Sequence, residues 1–207
     1  MITFSRYITV YEMANSKFIK SVMMDGKEKI AQDDILKMLG IGADKKEETA
    51  KYIVNVGQKR ENIIEIIESL QPDPWLCLQH GRYERPTFVA LQTCLAIATA
   101  YKSNGGRIVS CLGGPATLGE GTVASMSKEQ IIRAHCDLEE ETEKEKVYKD
   151  ACTAYKKITE RLIQLNLTLD IFGFSTDQWG LGEMKSMVTS TGGLVFMHEE
   201  FNDQLFK

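Results

Sequence analysis

A chain of 207 residues can enclose a sizeable hydrophobic core, and one domain, or one with a small annex, is the expected count. Its 43% hydrophobic and 26% charged residues are ordinary for a soluble globular protein. A net charge of −4 with 25 Lys and Arg argues against a dedicated nucleic-acid binder, which neutralises phosphates with clustered cations. No apolar run approaches the roughly 18 residues of a membrane span, so any membrane association is expected to be peripheral. Cys77, Cys94, Cys111, Cys136 and Cys152 form no C-x-x-C pair and no finger spacing with histidine. Buried, reduced thiols are therefore expected rather than zinc ligands, and an odd count without a secretory leader fits the cytosol.

Ile2 to Phe4 and Tyr7 to Met13 alternate and are rich in β-branched and aromatic residues, which predicts a hairpin turning at Ser5-Arg6. A third strand is expected near Ser21 to Met24, before a turn at Asp25-Gly26. Gln32 to Leu39 reads as a short helix stopped at Gly40, and the polar residues 42–51 read as a loop. Tyr52 to Val56 is a candidate strand. In Glu61 to Leu70, Ile63, Ile64, Ile67 and Leu70 recur at helical spacing, and the prolines of Pro72-Asp73-Pro74-Trp75 end that helix.

Pro86 suits a helix start, and Thr87 to Lys102 is nearly all apolar or small, which predicts a helix buried against a sheet. Arg107 to Leu112 follows as a strand. Ser127 and Gln130 make a capping-box pattern for a helix reaching about His135. Glu139 to Leu165, with Val147, Ala151, Ala154, Tyr155, Ile158 and Leu162 on one face, predicts one long surface helix. Leu167 to Phe174 is an apolar strand, Trp179 to Ser190 a helix, Leu194 to Met197 a strand, and Phe201 to Phe206 the start of a last helix. From residue 86 onward helices and strands alternate, so a parallel sheet with helices on both faces is the expected architecture.

Candidate chemistry centres on Gly105 to Gly121, a strand running into a glycine-rich turn, the usual place for phosphate or metal sites in α/β proteins. From Gly114 the turn spells G-x-x-x-x-G, but Glu120 and Gly121 stand where a phosphate loop needs Lys and Ser or Thr. A structural or partner-binding turn is the better reading. His135 with Cys136 and Asp137 holds catalytic ingredients, yet neighbours on a helix point about 100° apart, so a capping or interdomain role is favoured. Asp170, inside a strand, is expected to satisfy a neighbouring backbone group or pair with Arg107. The three histidines His80, His135 and His198 are scattered, and the charge run Asp137 to Lys149 reads as a solvated helix face. Met23, Met24, Met184 and Met187 read as core fillers and Trp75 as a core or interface anchor. No catalytic, cofactor-binding or metal-binding residue is assigned.

Several segments together resemble the trunk domain of the COPII inner-coat subunit that activates the coat's small GTPase. They are Ile2-Thr3-Phe4, Asp73-Pro74-Trp75, Val89-Ala90-Leu91, Gly105 to Gly121 with its Gly-Gly-Pro-Ala-Thr, His135 to Asp137 and Asp170-Ile171. The densest agreement comes last: Asp177-Gln178, Gly180-Leu181, Glu183-Met184-Lys185, Thr191-Gly192-Gly193, Phe201-Asn202 and Leu205-Phe206-Lys207. The resemblance runs essentially end to end, so residues 1–207 are expected to be one trunk domain. The Gly-Gly-Pro-Ala-Thr turn and the ending favour this subunit over the coat's cargo-binding subunit.

The resemblance implies an α/β fold that is von Willebrand A-like (Rossmann-type), a mostly parallel sheet flanked by helices with an N-terminal β-hairpin. It also implies that the family's first, central strand is missing, together with the family's zinc finger upstream of Met1 and the later helical and gelsolin-like domains. Either the hairpin closes directly onto the Arg107 strand, or a second molecule fills the slot, with self-association through exposed sheet edges as one form of this. In metal-binding A domains a threonine ligand takes the place of Thr87, but here Gly113-Gly114 stands where an aspartate would follow the strand.

The implied function is a non-catalytic interaction module of the vesicle coat in transport from the endoplasmic reticulum to the Golgi. Implied partners are the cargo-binding coat subunit and the small coat GTPase, at a cytoplasmic location peripheral to the membrane of the endoplasmic reticulum and its vesicles. The GTPase-activating arginine belongs to the gelsolin-like domain, so no activation is expected of these residues. A metal-dependent ligand-binding A domain of another family is the alternative.

Overall fold

The computed structural model describes residues 1–14, 18–27, 30–42, 46–71, 81–138 and 142–199. The expectations for Trp75, Cys77, His80 and the last helix from Phe201 lie outside them.

The chain opens as an antiparallel meander, β1 (Ile2–Phe4), β2 (Tyr7–Glu12) and β3 (Lys20–Asp25), in that spatial order. Phe4 pairs with Ile8, and the Ser5 N–H donates to the Tyr7 carbonyl at 3.0 Å, so the turn falls at Ser5-Arg6 as the alternation requires. Ile8, Val10 and Met24 send their side chains into the core, while Met23 on the other face is exposed. α1 (Gln32–Met38) buries Ile35 and Leu36 and ends before Gly40.

The next segments depart from the sequence expectations. Residues 42–51 are not wholly loop, because α2 (Lys46–Thr49) forms a single turn. Tyr52 to Val56 is not a strand. The Tyr52 N–H bonds back to the Thr49 carbonyl at 2.9 Å, and its hydroxyl donates to the Leu39 carbonyl at 2.7 Å, which makes it an anchor for α1. In α3 (Arg60–Glu68) the buried residue is Ile66, whereas Ile64, Ile67 and Leu70 are exposed, so the core stripe lies beside the expected one.

α4 (Thr87–Tyr101) buries nine residues and is apolar all round, as an interior helix must be. The parallel sheet consists of β4 (Gly106–Leu112), β5 (Leu167–Phe174) and β6 (Val195–His198), in that order, with Val109 opposite Asp170 and Phe172 opposite Phe196. Its crossovers contain α5 (Glu143–Gln164), capped by the Thr142 hydroxyl accepting from the Glu145 N–H at 3.2 Å, and α6 (Leu181–Thr191). Tyr155, Ile158 and Leu162 of α5, Met184 and Met187 of α6, and Leu169 and Ile171 of β5 are nearly fully enclosed in one core. Val147, expected on the buried stripe, is exposed. The helices packed on the parallel sheet, α5 and α6, also pack on each other and so share one face of it. On the opposite face Arg107, Val109 and Cys111 are exposed. Cys136 is exposed too, so the thiols are not uniformly buried.

Ser127 to His135 does not form the expected helix. The Arg82 guanidinium binds the carbonyls of Ser125, Ser127 and Gln130 at 3.2, 2.7 and 3.2 Å, oxygens that a helix would pair with its own amides. Ser127 instead bridges to Gly81.

The two sheets do not join. Among the described residues β1 and β4 are each the edge of a separate three-stranded sheet, so the hairpin does not close directly onto the Arg107 strand. A cavity of about 430 Å³ lies between the two edges, floored by α4.

Candidate functional site

The glycine-rich turn leaves β4 at Leu112 and folds back into the protein. Gly114, Pro115, Ala116 and Thr117 are all buried. The Thr117 hydroxyl accepts from the Arg85 N–H at 2.9 Å and donates to the Tyr83 carbonyl at 2.7 Å, while the Thr117 N–H donates to the Arg85 carbonyl at 3.2 Å. The Ala116 carbonyl accepts from the amides of both Val123 and Ala124, at 2.8 and 3.2 Å. The Gly121 carbonyl accepts from the buried Tyr155 hydroxyl at 2.9 Å, and burial pushes that phenol's pKa up. The Thr117 amide and hydroxyl and the Val123 and Ala124 amides, donors that could help cradle a phosphate, are thus committed to the protein itself.

Two glycines are there for space and conformation. A Cβ on Gly114 would sit 2.8 Å from Arg85 Nη1, the guanidinium whose Nη2 donates to the Gly113 carbonyl at 3.0 Å. At Gly121 φ is +75°, and a Cβ would meet the Tyr155 ring at 2.9 Å. Glu120 points at Lys157 Nζ at 2.7 Å, a partly exposed ion pair that holds the loop on α5.

Beside the turn, Arg82 is 6% exposed, and its Nε donates to Asp177 at 2.8 Å. It ties the residue 125–130 segment to the loop after β5. Nearby, Arg133 grips Glu183 of α6 through two bonds of 2.7 and 2.6 Å, and its guanidinium lies 4.5 Å from the centre of the Tyr148 ring. Glu183 is 2% exposed, so this is a buried ion pair with a fixed bidentate geometry. Sequence reasoning passed over Arg82, Arg85 and Arg133. The available signal was the cluster Gly81 to Pro86, with two arginines and a glutamate just before an apolar helix.

Asp170 behaves as expected for a strand carboxylate: Oδ2 accepts from Arg107 Nη1 at 2.6 Å and Oδ1 from the Leu194 N–H at 2.8 Å. The Arg107 hydrogen bond, helped by the Leu194 amide, holds its carboxyl below the ordinary range. Asp137 accepts from the Ala134 N–H at 2.6 Å and from Lys144 at 3.0 Å, and these bonds, the backbone one first, lower its pKa. It therefore closes the short 3-10 turn Cys136–Leu138. His135 lies at the rim of a cavity of about 610 Å³ at the carboxyl ends of β5 and β6, with His198 also on its wall. Thr87 starts α4 as expected, and its buried hydroxyl has no hydrogen-bond partner.

These features define a von Willebrand A-like α/β domain whose conspicuous loop is a closed structural turn. Residues 1–207 match the Sec23/Sec24 trunk domain along their whole length, and the chain belongs to that family. It is 29% identical over 224 residues to protein transport protein SEC23 F of Arabidopsis thaliana, an alignment covering all of this chain and 29% of that protein. The chain thus spans under a third of that relative's length. The crystal structure of the human COPII-coat protein Sec24c shares the fold, with a TM-score of 0.63 at 13% identity over 97% of this chain and 23% of that one. No described helix is long and apolar enough to cross a membrane.

Proposed function

We propose that residues 1–207 act as a non-catalytic trunk domain of the COPII inner coat, on the side of the subunit that activates the coat's small GTPase. The end-to-end family match carries this reading. The closed turn supports it: Thr117 and Gly121 use the signature residues of Gly113 to Gly121 for internal bonds, which suits a scaffold better than a nucleotide site. In this reading the domain pairs with the cargo-binding coat subunit and contacts the small GTPase, at the cytoplasmic surface of the endoplasmic reticulum and its vesicles, in transport to the Golgi.

The test is binding of purified residues 1–207 to the cargo-binding subunit by interferometry, beside single-turnover GTP hydrolysis by the small coat GTPase. Saturable binding with no stimulation of hydrolysis is expected. Stimulation of hydrolysis, or a magnesium-dependent ligand in place of the coat subunit, would contradict it.

A further inference from the structure

Helix α4 and strand β4 are joined by the short link 102–105. Lys102 leaves the helix in the left-handed region at φ +53°, and the Ser103 N–H donates to the Ala98 carbonyl at 3.1 Å. Gly105 then turns the chain at φ +131°, which suits only glycine, and its carbonyl accepts from the Ser103 hydroxyl at 2.8 Å. The Gly106 N–H donates to the Asn166 carbonyl at 3.3 Å, where β4 begins its pairing with β5. Between these fixed points Asn104 and Gly105 are exposed. Among the described residues neither the Asn104 carboxamide nor the Gly105 N–H makes a hydrogen bond.

Asparagine is a thermolabile residue, and the residue that follows it governs how readily it reacts. Asn104 is the only asparagine in the chain followed by glycine. Asn55, Asn62 and Asn166 precede Val56, Ile63 and Leu167, whose side chains crowd the amide nitrogen that glycine leaves open. The related pair Asp25-Gly26 is held in place, because the Asp25 carboxylate accepts from the Lys27 N–H at 2.9 Å and Gly26 lies against Pro86.

We propose that Asn104 is a site of spontaneous covalent modification, which converts the link before β4 to aspartyl and isoaspartyl forms. The Gly105 amide gives its proton to hydroxide, and its nitrogen bonds to the Asn104 carboxamide carbon. The carboxamide C–N bond breaks and ammonia leaves with a proton taken from water, closing a succinimide ring. Water then adds to either ring carbonyl and breaks the bond from that carbon to the ring nitrogen. Opening at the side-chain carbonyl gives aspartate on an ordinary backbone. Opening at the main-chain carbonyl of residue 104 carries the backbone through Cβ and Cγ instead, longer by a methylene. Overall a water enters and an ammonia leaves, with no oxidation or reduction. Nucleophile and electrophile belong to adjoining residues, so the attack is intramolecular, and exposure admits the hydroxide and water it needs. The longer backbone falls between the Ser103 hydroxyl and the two bonds it must keep in place, at the Gly105 carbonyl and the Gly106 N–H. The isoaspartyl form therefore loosens the entry to β4, whereas the aspartyl form adds only a negative charge.

The experiment incubates the purified chain at neutral and at mildly alkaline pH, then maps it by mass spectrometry after pepsin digestion in acid, where the amide nitrogen stays protonated. Asn104 is expected to convert about tenfold or more faster than Asn55, Asn62 and Asn166, because only there is the nitrogen unobstructed. Conversion should speed up at the alkaline pH, with the isoaspartyl form recognised by fragmentation of its altered backbone. Asn104→Gln, whose longer side chain closes a larger ring, should persist unmodified. The isoaspartyl chain, separated by chromatography, should unfold at a lower urea concentration than the parent, and Asn104→Asp at the same concentration as the parent. The proposal is overturned if Asn104 lasts as long as Asn55 and Asn62, or if its loss does not rise with pH. It is overturned equally if the isoaspartyl chain unfolds with the parent, or if Asn104→Asp loses as much stability as that chain.

Discussion

The glycine-rich turn and the outer edge of β4 belong to one stretch of chain and use their backbones in opposite ways. In the turn, the Ala116 and Gly121 carbonyls and the Thr117 amide all bond inside the protein. Along the outer edge of β4, the backbone groups of Arg107, Val109 and Cys111 have no partner among the described residues. The glycines draw the eye to the turn, yet they are there because Arg85 and Tyr155 pass too close for a side chain. Unused hydrogen-bonding capacity lies along β4.

Substitutions that open the closed region should cost the most. Arg82→Met strands three backbone carbonyls around a side chain 6% exposed, and a loss of about 3 to 5 kcal/mol is expected in urea unfolding. A loss below about 1 kcal/mol would mean that residues 125–130 hold their path without it. Gly121→Val combines a positive φ with a collision against Tyr155 and should cost about 2 to 4 kcal/mol. The paired variant Gly121→Val with Tyr155→Ala separates the two causes, because only the collision is relieved.

A smaller effect depends on pH. The folded-state pKa of Asp170 is depressed, so its contribution is present above the ordinary aspartate value of about 3.9 and is lost as pH falls through the lower folded value. Wild type should therefore lose stability below about pH 4 more steeply than Asp170→Asn. Parallel acid-unfolding curves would show that Arg107 and the Leu194 amide do not favour the ionised form. Smallest of all, Val109→Thr on the open edge, where the side chain is 59% exposed, should stay within about 0.5 kcal/mol of wild type. A larger change would mean that this edge is already covered in the free chain.

What the sequence made legible follows the range of the forces involved. β5 and α6 were readable because an apolar run bounded by turn residues, and a helix running to Gly192, are local patterns. Ser127 to His135 was misread because the interaction that diverts it arrives from Arg82, more than forty residues away in the chain. The face of α3 shifted from Ile64 and Ile67 to Ile66 for a related reason: periodicity shows that a stripe exists, and packing decides which rotation buries it. Asp170 and the failed phosphate loop were legible from residue chemistry alone, since Glu120 cannot serve where a lysine is needed. Gaps are different, because unpaired edges leave no residue pattern; here the resemblance to a family with a further central strand supplied that expectation.

Native-state hydrogen exchange on residues 1–207 alone compares the two regions in one experiment. The amides of Thr117, Val123 and Ala124 should be strongly protected, and those of Arg107, Val109 and Cys111 should exchange at rates close to an unstructured chain. Equal protection at both sets in the monomer would contradict the account, since β4 would then already have a partner on its outer edge.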